Sequence, residues 1–399
     1  MKPDAVRRSF PVVYLRGKLP KGSRLVSFQP THYNSGMNAI EFWSAWIPKA
    51  MRLARHRALL LLAVLTCISL SCQGENSEAP SLAVLPTTSN PTPRKVQEKP
   101  LAGQTTAAPR FDGERAYHYL RKICSFGNRR SGSLGMRQQQ QLVDKHFQEL
   151  GGEVQYQRFR IKHPVTGERV PLANLIVHWQ SEAKERILLC AHYDSRPFPD
   201  READPRRRKE GVFLGANDGA SGVAVLMELG HHVGSLPKHF GLDFVLFDAE
   251  EFVFEERLGN YFIGSRWFAT QYVKNPPKYR YVAGVLLDMV GDEKLSIYQE
   301  RYSATWPDTR PIVKEIWDTA SRLGVDEFIP QIGYPEAIRD DHLPLHQIAK
   351  IPVCDVIDFE YPGPRNRYWH TTADAPGRCS AESLGKVGWV IYEWLASKR

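Results

Sequence analysis

The chain has 399 residues, of which 42% are hydrophobic and 24% charged, and its formal net charge is +9. The basic excess is spread along the sequence. Its densest run, Arg206-Arg207-Arg208-Lys209, sits among Pro and charged residues without aromatic company, so it reads as a solvated loop and argues against a nucleic-acid partner. Six cysteines without a CxxC pair argue against a thiolate zinc site and leave any disulfide pairing open.

Residues 1–50 show no clear periodicity and read as a misassigned extension ahead of a start at Met51. The alternative is a genuine segment preceding a weak membrane anchor. In 51–72, Arg52, Arg55 and Arg57 precede an apolar run from Ala58 to Leu70. Charge followed by a short apolar stretch is the order of an export signal, and the run falls short of the roughly 20 residues that span a bilayer. Leu70-Ser71-Cys72 resembles a lipoprotein processing site, with Ser69 where Leu is usual. The expectation is an exported protein, periplasmic, secreted or held at the cell envelope, with a lipid on Cys72 as its only membrane attachment. Residues 73–110, rich in Ser, Thr, Pro, Glu and Gln, lack the apolar content for a core and read as a disordered linker.

From 111 to 399 the pattern is that of one domain. Helical periodicity marks Glu114–Ile123 and Gly135–Leu150. Asn174–Trp179 reads as a strand. Four near-continuous apolar runs, Arg186–His192, Leu242–Phe247, Val282–Asp288 and Ile351–Phe359, suit strands buried on both faces of a largely parallel sheet. Helices are expected at Ala220–Val233, Tyr261–Val273, Asp308–Leu323, Leu343–Ala349 and Ala381–Ser397. The alternation predicts an α/β fold, a three-layer αβα sandwich around a mostly parallel sheet. No glycine-rich phosphate loop is present, so nucleotide binding has no support.

Acidic and histidine residues fall where the predicted strands end. His192 and Asp194 close the first, Glu250 and Glu251 follow the second, Asp288 ends the third, and Asp218 stands where a loop opens a helix. Ligands of open parallel sheets bind beyond the carboxyl ends of the strands. Clustered carboxylates repel and lose hydration unless a cation is present. Two carboxylates with one or two imidazoles suit a Zn²⁺ site that keeps a position open. Glu250 and Glu251 are adjacent, so both reach one site only if the backbone leaves the strand there. One could then hold metal while the other serves as a base.

These segments (HYDS from His192, GANDGASG from Gly215, DAEE from Asp248, LLDMVG from Leu286, and Trp369-His370-Thr371) resemble the M28 zinc aminopeptidase family, which also contains the glutaminyl cyclases. The resemblance covers roughly residues 111–399, in the family's order. It implies Asp218, Glu251 and His370 as metal ligands and Glu250 as acid/base, with a cis peptide after Asp218. In the two-metal aminopeptidases His192 and Asp288 would hold a second zinc, with Asp218 bridging. Asp340-Asp341-His342-Leu343-Pro344 and Tyr368-Trp369-His370 are closer to the cyclase branch, in which one zinc is usual. There Asp288 and Asp340 would join the proton network of Glu250, and Trp369 would wall the substrate pocket. Arg339 stands where the animal cyclases carry Gln, Glu256 where they carry Trp, and Arg365 in place of a pocket Phe, so the likeness leans to bacterial cyclases. The resemblance therefore implies a glutaminyl-peptide cyclotransferase with one zinc, acting on N-terminal Gln of peptides or proteins, with Trp369 and Arg339 contacting substrate; the chain is expected to act as a monomer. A two-zinc aminopeptidase and a non-catalytic binding module are the alternatives.

Overall fold

In the computed structural model, residues 111–254, 261–334 and 336–398 are described. The readings made for 1–110, the export signal, Cys72 and the linker among them, lie outside these residues, as does Glu256.

The elements run α1 (Gly113–Cys124), α2 (Leu134–Glu149), β1 (Glu153–Lys162), β2 (Arg169–Trp179), β3 (Glu185–His192), α3 (Pro205–Glu210), α4 (Ala220–Gly230), β4 (Gly241–Phe247) and α5 (Ile263–Lys274). They continue with β5 (Arg280–Asp288), β6 (Ile297–Gln299), α6 (Arg301–Thr305), α7 (Arg310–Leu323), β7 (Phe328–Ile332), α8 (His342–Ala349), β8 (Val353–Ile357) and α9 (Ala381–Ala396). Six strands form the main sheet in the order β1-β2-β4-β3-β5-β8. β4, β3, β5 and β8 are parallel, while β1 and β2 add an antiparallel flank. β6 and β7 make a separate parallel pair.

The apolar runs become strands because both faces are covered. β3 and β4 are buried almost throughout. Alternate residues feed two cores: Ile187, Leu189 and Ala191 pack with α1, α4, α7 and α9 on one face. Leu188 and Cys190 pack with Phe268 of α5 and Leu345 of α8 on the other. The expected three layers are present.

Two local expectations needed correction. The Arg206–Lys209 run is not a loop but part of the short helix α3, capped by Asp204 and exposed on all its basic residues. The β1–β2 hairpin extends the predicted Asn174–Trp179 strand back to Arg169 and adds β1, a strand beyond those expected. The four described cysteines, Cys124, Cys190, Cys354 and Cys379, are buried free thiols.

Candidate active site

The carboxyl ends of β3, β4 and β5 converge on one edge of the sheet. β3 delivers His192 and then Asp194. β4 leads into Asp248-Ala249-Glu250-Glu251, and Ala249 takes φ 61, a left-handed conformation that breaks strand alternation. Asp194 fixes this turn by accepting hydrogen bonds from the amides of Glu250 (3.1 Å) and Glu251 (3.0 Å). Both glutamates are thereby buried at the same edge. The residues after β5 and before the C-terminal loop turn in the same manner, with φ 51 at Met289 and φ 55 at His370.

Asp218 is held by its backbone. The carboxylate of Asp374 accepts from the amides of Asn217 (2.8 Å) and Asp218 (3.2 Å) and from the Tyr361 hydroxyl (3.0 Å). The turn into α4 is made at Gly219 with φ 99, where a Cβ would lie 2.6 Å from the Asp194 carbonyl oxygen. The expected cis peptide after Asp218 is absent: among the described residues the cis bond is Tyr361–Pro362. Glycine reaches this positive φ freely, so the loop turns with a trans bond.

Two donor sets share Asp218. In each of Asp218, Glu251, His370 and His192, Asp218, Asp288 the ligating atoms lie within 4.8 Å of one another, and every residue is buried. His370 Nε2 is 3.0 Å from Glu251 Oε1 and 3.4 Å from Asp218 Oδ2. His192 Nε2 is 3.1 Å from Asp218 Oδ1 and 3.2 Å from Asp288 Oδ1. Asp218 Oδ2 and Asp288 Oδ1 are buried without a hydrogen bond. Unsatisfied buried carboxylate oxygens beside imidazoles are what a cation would complete, and this donor chemistry fits Zn²⁺.

The carboxylates divide by environment. Burial works against the ionised form of Asp218, yet the adjacent imidazoles of His192 and His370 hold it below the usual carboxylate range. Burial likewise opposes Glu251, but the charges of Arg196 and His370 bring it down to about 2. Glu250 goes the other way, pushed well above the ordinary value by burial and by the charge of Glu251. Asp340 is also raised well above it, by burial and then by Asp288 and Asp341. Asp288 is raised too, burial outweighing the pull of the His192 imidazole beside it. The edge thus carries one group of carboxylates disposed to hold charge and another disposed to hold protons.

At the mouth, Trp369 is half-buried, with its ring centroid 4.9 Å from that of Phe359 and 3.9 Å from that of His370. Arg339 is exposed beside Asp340 without a hydrogen bond to a described side chain, and Arg365 is exposed on a short turn at Gly363–Arg365. Sequence reasoning missed the residues behind the donors. Arg196 donates to Glu251 Oε2 (2.6 Å) and forks onto Asp200 (3.0 and 2.8 Å), and Asp374 seats the Asp218 loop. Their one signal was proximity in sequence to His192 and His370.

The profile described as Peptidase family M28 matches residues 174–395, more than half of the chain. Aminopeptidase YwaD of Bacillus subtilis (strain 168) is 28% identical over 209 residues, covering 51% of this chain and 38% of that protein. Glutaminyl-peptide cyclotransferase of Bos taurus is 25% identical over 252 residues, 56% of this chain and 66% of that one. The chain therefore spans less than two thirds of the length of either. Among solved structures, Fimbriiglobus ruber glutaminyl cyclase is similar with a TM-score of 0.68 and 35% identity, over 76% of this chain and 100% of that one. Porphyromonas gingivalis glutaminyl cyclase follows at 0.66 and 31%, over 72% and 99%. A Zn-dependent exopeptidase from Parabacteroides distasonis gives 0.66 and 30%, over 73% and 100%. With this fold, these motifs at the sheet edge and a match across most of the domain, the chain belongs to peptidase family M28.

Proposed function

We propose that the protein is a glutaminyl-peptide cyclotransferase that closes N-terminal glutamine of peptides or proteins to pyroglutamate and releases ammonia. The observation that carries this reading is the buried carboxyl of Glu250, set with Asp288 and Asp340 beside a donor set that fits one zinc. Similarity to solved glutaminyl cyclases over nearly their whole length supports it.

Asp218, Glu251 and His370 would hold the zinc, which when bound would polarise the γ-carboxamide carbonyl of the substrate. Glu250, in its carboxylate form, accepts a proton from the substrate α-amine as its nitrogen attacks Cδ of the side chain, and then returns that proton to the departing amide nitrogen, which leaves as ammonia. Asp288 and Asp340 share the proton network of Glu250, and the neighbouring Asp340 raises its proton affinity and with it its strength as a base. Trp369 offers an aromatic face against which the glutamine side chain folds back, and holding that pose supplies much of the rate of an intramolecular closure. Arg339 lies exposed next to Asp340, where a peptide entering the site would pass. We also propose export through the signal-like segment 51–72, with Cys72 as the lipid site; radiolabelled palmitate on the parent but not on Cys72→Ser would support it.

Incubation with Gln-peptides and mass spectrometry of the products tests the activity. Loss of about 17 mass units with every residue retained is expected, with Ala- and Leu-peptides untouched. Released N-terminal amino acids would instead favour a two-zinc aminopeptidase, a second reading kept because His192, Asp218 and Asp288 form a second complete donor set.

A further inference from the structure

We propose that Arg196 and Asp200 form a positioning pair that presents Glu251 to the metal through one oxygen and sets the ring of His370. The proposal rests on the reading that Asp218, Glu251 and His370 hold a divalent cation.

Arg196 follows the β3 exit segment and is 2% exposed. Its Nε and Nη2 donate to the two oxygens of Asp200, at 3.0 and 2.8 Å, so the guanidinium plane is locked by a two-point contact. The remaining nitrogen, Nη1, is thereby aimed at Glu251 Oε2, 2.6 Å away. Glu251 is left with Oε1, and it is this oxygen that faces His370 Nε2 at 3.0 Å. The carboxylate is thus divided, with one oxygen committed to Arg196 and one to the donor centre. A carboxylate without such a partner is free to chelate with both oxygens.

The same pair reaches the second ligand. Asp200 Oδ1 lies 3.4 Å from His370 Nδ1. That nitrogen is buried and makes no hydrogen bond, and the contact is long for one, so Asp200 is the acceptor within reach once the ring settles onto an ion. A carboxylate behind a ligating imidazole fixes which nitrogen faces the metal. The other donor set is built differently. The carboxylate behind His192 Nδ1, Asp194 at 3.6 Å, is committed to the amides of Glu250 and Glu251, and no Lys or Arg side chain is ion-paired with Asp288 among the described residues.

Only a planar, multi-donor cation performs this role. A lysine brings the charge but cannot grip Asp200 at two points while aiming a third donor at Glu251.

The test uses the full chain and the variants Asp200→Asn, Arg196→Met and Arg196→Lys. Zinc affinity is measured by competition with a chromophoric chelator, coordination by the visible absorption of the cobalt(II)-loaded protein, and the fold by thermal unfolding of the metal-free forms. Asp200→Asn and Arg196→Met are expected to bind zinc about 10–100-fold more weakly. In Arg196→Met the cobalt bands should weaken as Glu251 takes up a second bond and the coordination number rises. Arg196→Lys should resemble Arg196→Met, not the parent. If Arg196→Met does not fold, Asp200→Asn carries the affinity measurement, because its carboxylate is 28% exposed and its amide replacement is nearly isosteric. Parent-like zinc affinity and cobalt spectra in the variants would overturn the positioning role alone. A parent chain that binds neither zinc nor cobalt would overturn the metal reading together with it.

Discussion

Buried charge stands at both ends of the central sheet, and the two ends differ in how it is satisfied. At the amino ends of β3, β4 and β5, Asp243 accepts hydrogen bonds from His178 (2.8 Å), from Arg186 through Nε (3.0 Å) and a second nitrogen, and from the Tyr281 hydroxyl. Arg186 spends its remaining donors on the carbonyls of Trp179, Gln180 and Leu242. At the carboxyl ends, Glu250, Asp288 and Asp340 are buried among other carboxylates, and oxygens of Asp218 and Asp288 make no hydrogen bond. One cluster is complete within the chain. The other is complete only with something added, and that difference separates a structural network from a site.

The strongest way to break this contrast is to exchange the expected consequences of mutation. At the functional edge, Glu250→Gln should reduce cyclisation of a Gln-peptide by about 10²–10⁴-fold with zinc still bound. Its thermal midpoint should be unchanged or higher, because a buried group with a raised pKa destabilises the fold as it ionises. Glu251→Gln should lose zinc as well. Equal zinc loss in both variants would show that the two glutamates do not divide their roles.

At the other edge the order reverses. Arg186→Met leaves Asp243 buried without its main partner and should cost about 3–5 kcal/mol in denaturant unfolding, while kcat/KM of the surviving folded protein stays at the parent value. A mild stability loss would mean that this network is no more complete than the site.

Removing metal isolates what the site lacks. Zinc at about one hundred times its dissociation constant should raise stability by about 2.7 kcal/mol. Chelation should remove that gain in the parent and change little in a variant with Asp218→Asn. Calorimetry with and without chelator reads it.

The smallest effect is a pH dependence. Burial opposes ionisation of Asp243, but hydrogen bonds from His178 and Arg186 outweigh it and hold the folded pKa below the ordinary value. A depressed carboxylate contributes stability above its unfolded pKa of about 3.9 and loses it as pH falls through the folded value. The stability gap between the parent and Asp243→Asn should therefore be flat above about pH 5 and close in acid. A gap that widens on acidification would contradict the assignment.

The layered fold and the convergence of acidic residues were legible because β3, β4 and β5 are apolar on both faces and end on polar residues. The β1 strand was not. Val154 and Tyr156 pack toward the α2 side, while Phe159 and Ile161 belong to the cluster with Phe252. The apolar phase therefore switches mid-strand, and neither period 2 nor a continuous run appears. Glu250 and Glu251 were placed together on the argument that the backbone leaves the strand, and φ 61 at Ala249 is that departure. The conformation after Asp218 was carried from a family likeness, and the chain turns there through Gly219 instead. Arg196 and Asp200 escaped notice because residues four apart in an irregular loop have no periodicity to betray a shared partner.

The left-handed turns at Ala249, Met289 and His370 have a consequence for anyone who tries to make this protein hardier. Each such residue costs roughly 1–2 kcal/mol relative to an ordinary conformation, and each adjoins or is a residue of the site. A screen for heat resistance would therefore be drawn to these positions, where a glycine or a reshaped loop returns that energy. The same change would relax the angle at which Glu250 or Asp288 meets the site, and a glycine at 370 would remove a proposed metal ligand outright. Variants selected there should survive hotter conditions and work more slowly, and improvement without that loss is better sought on the far side of the sheet.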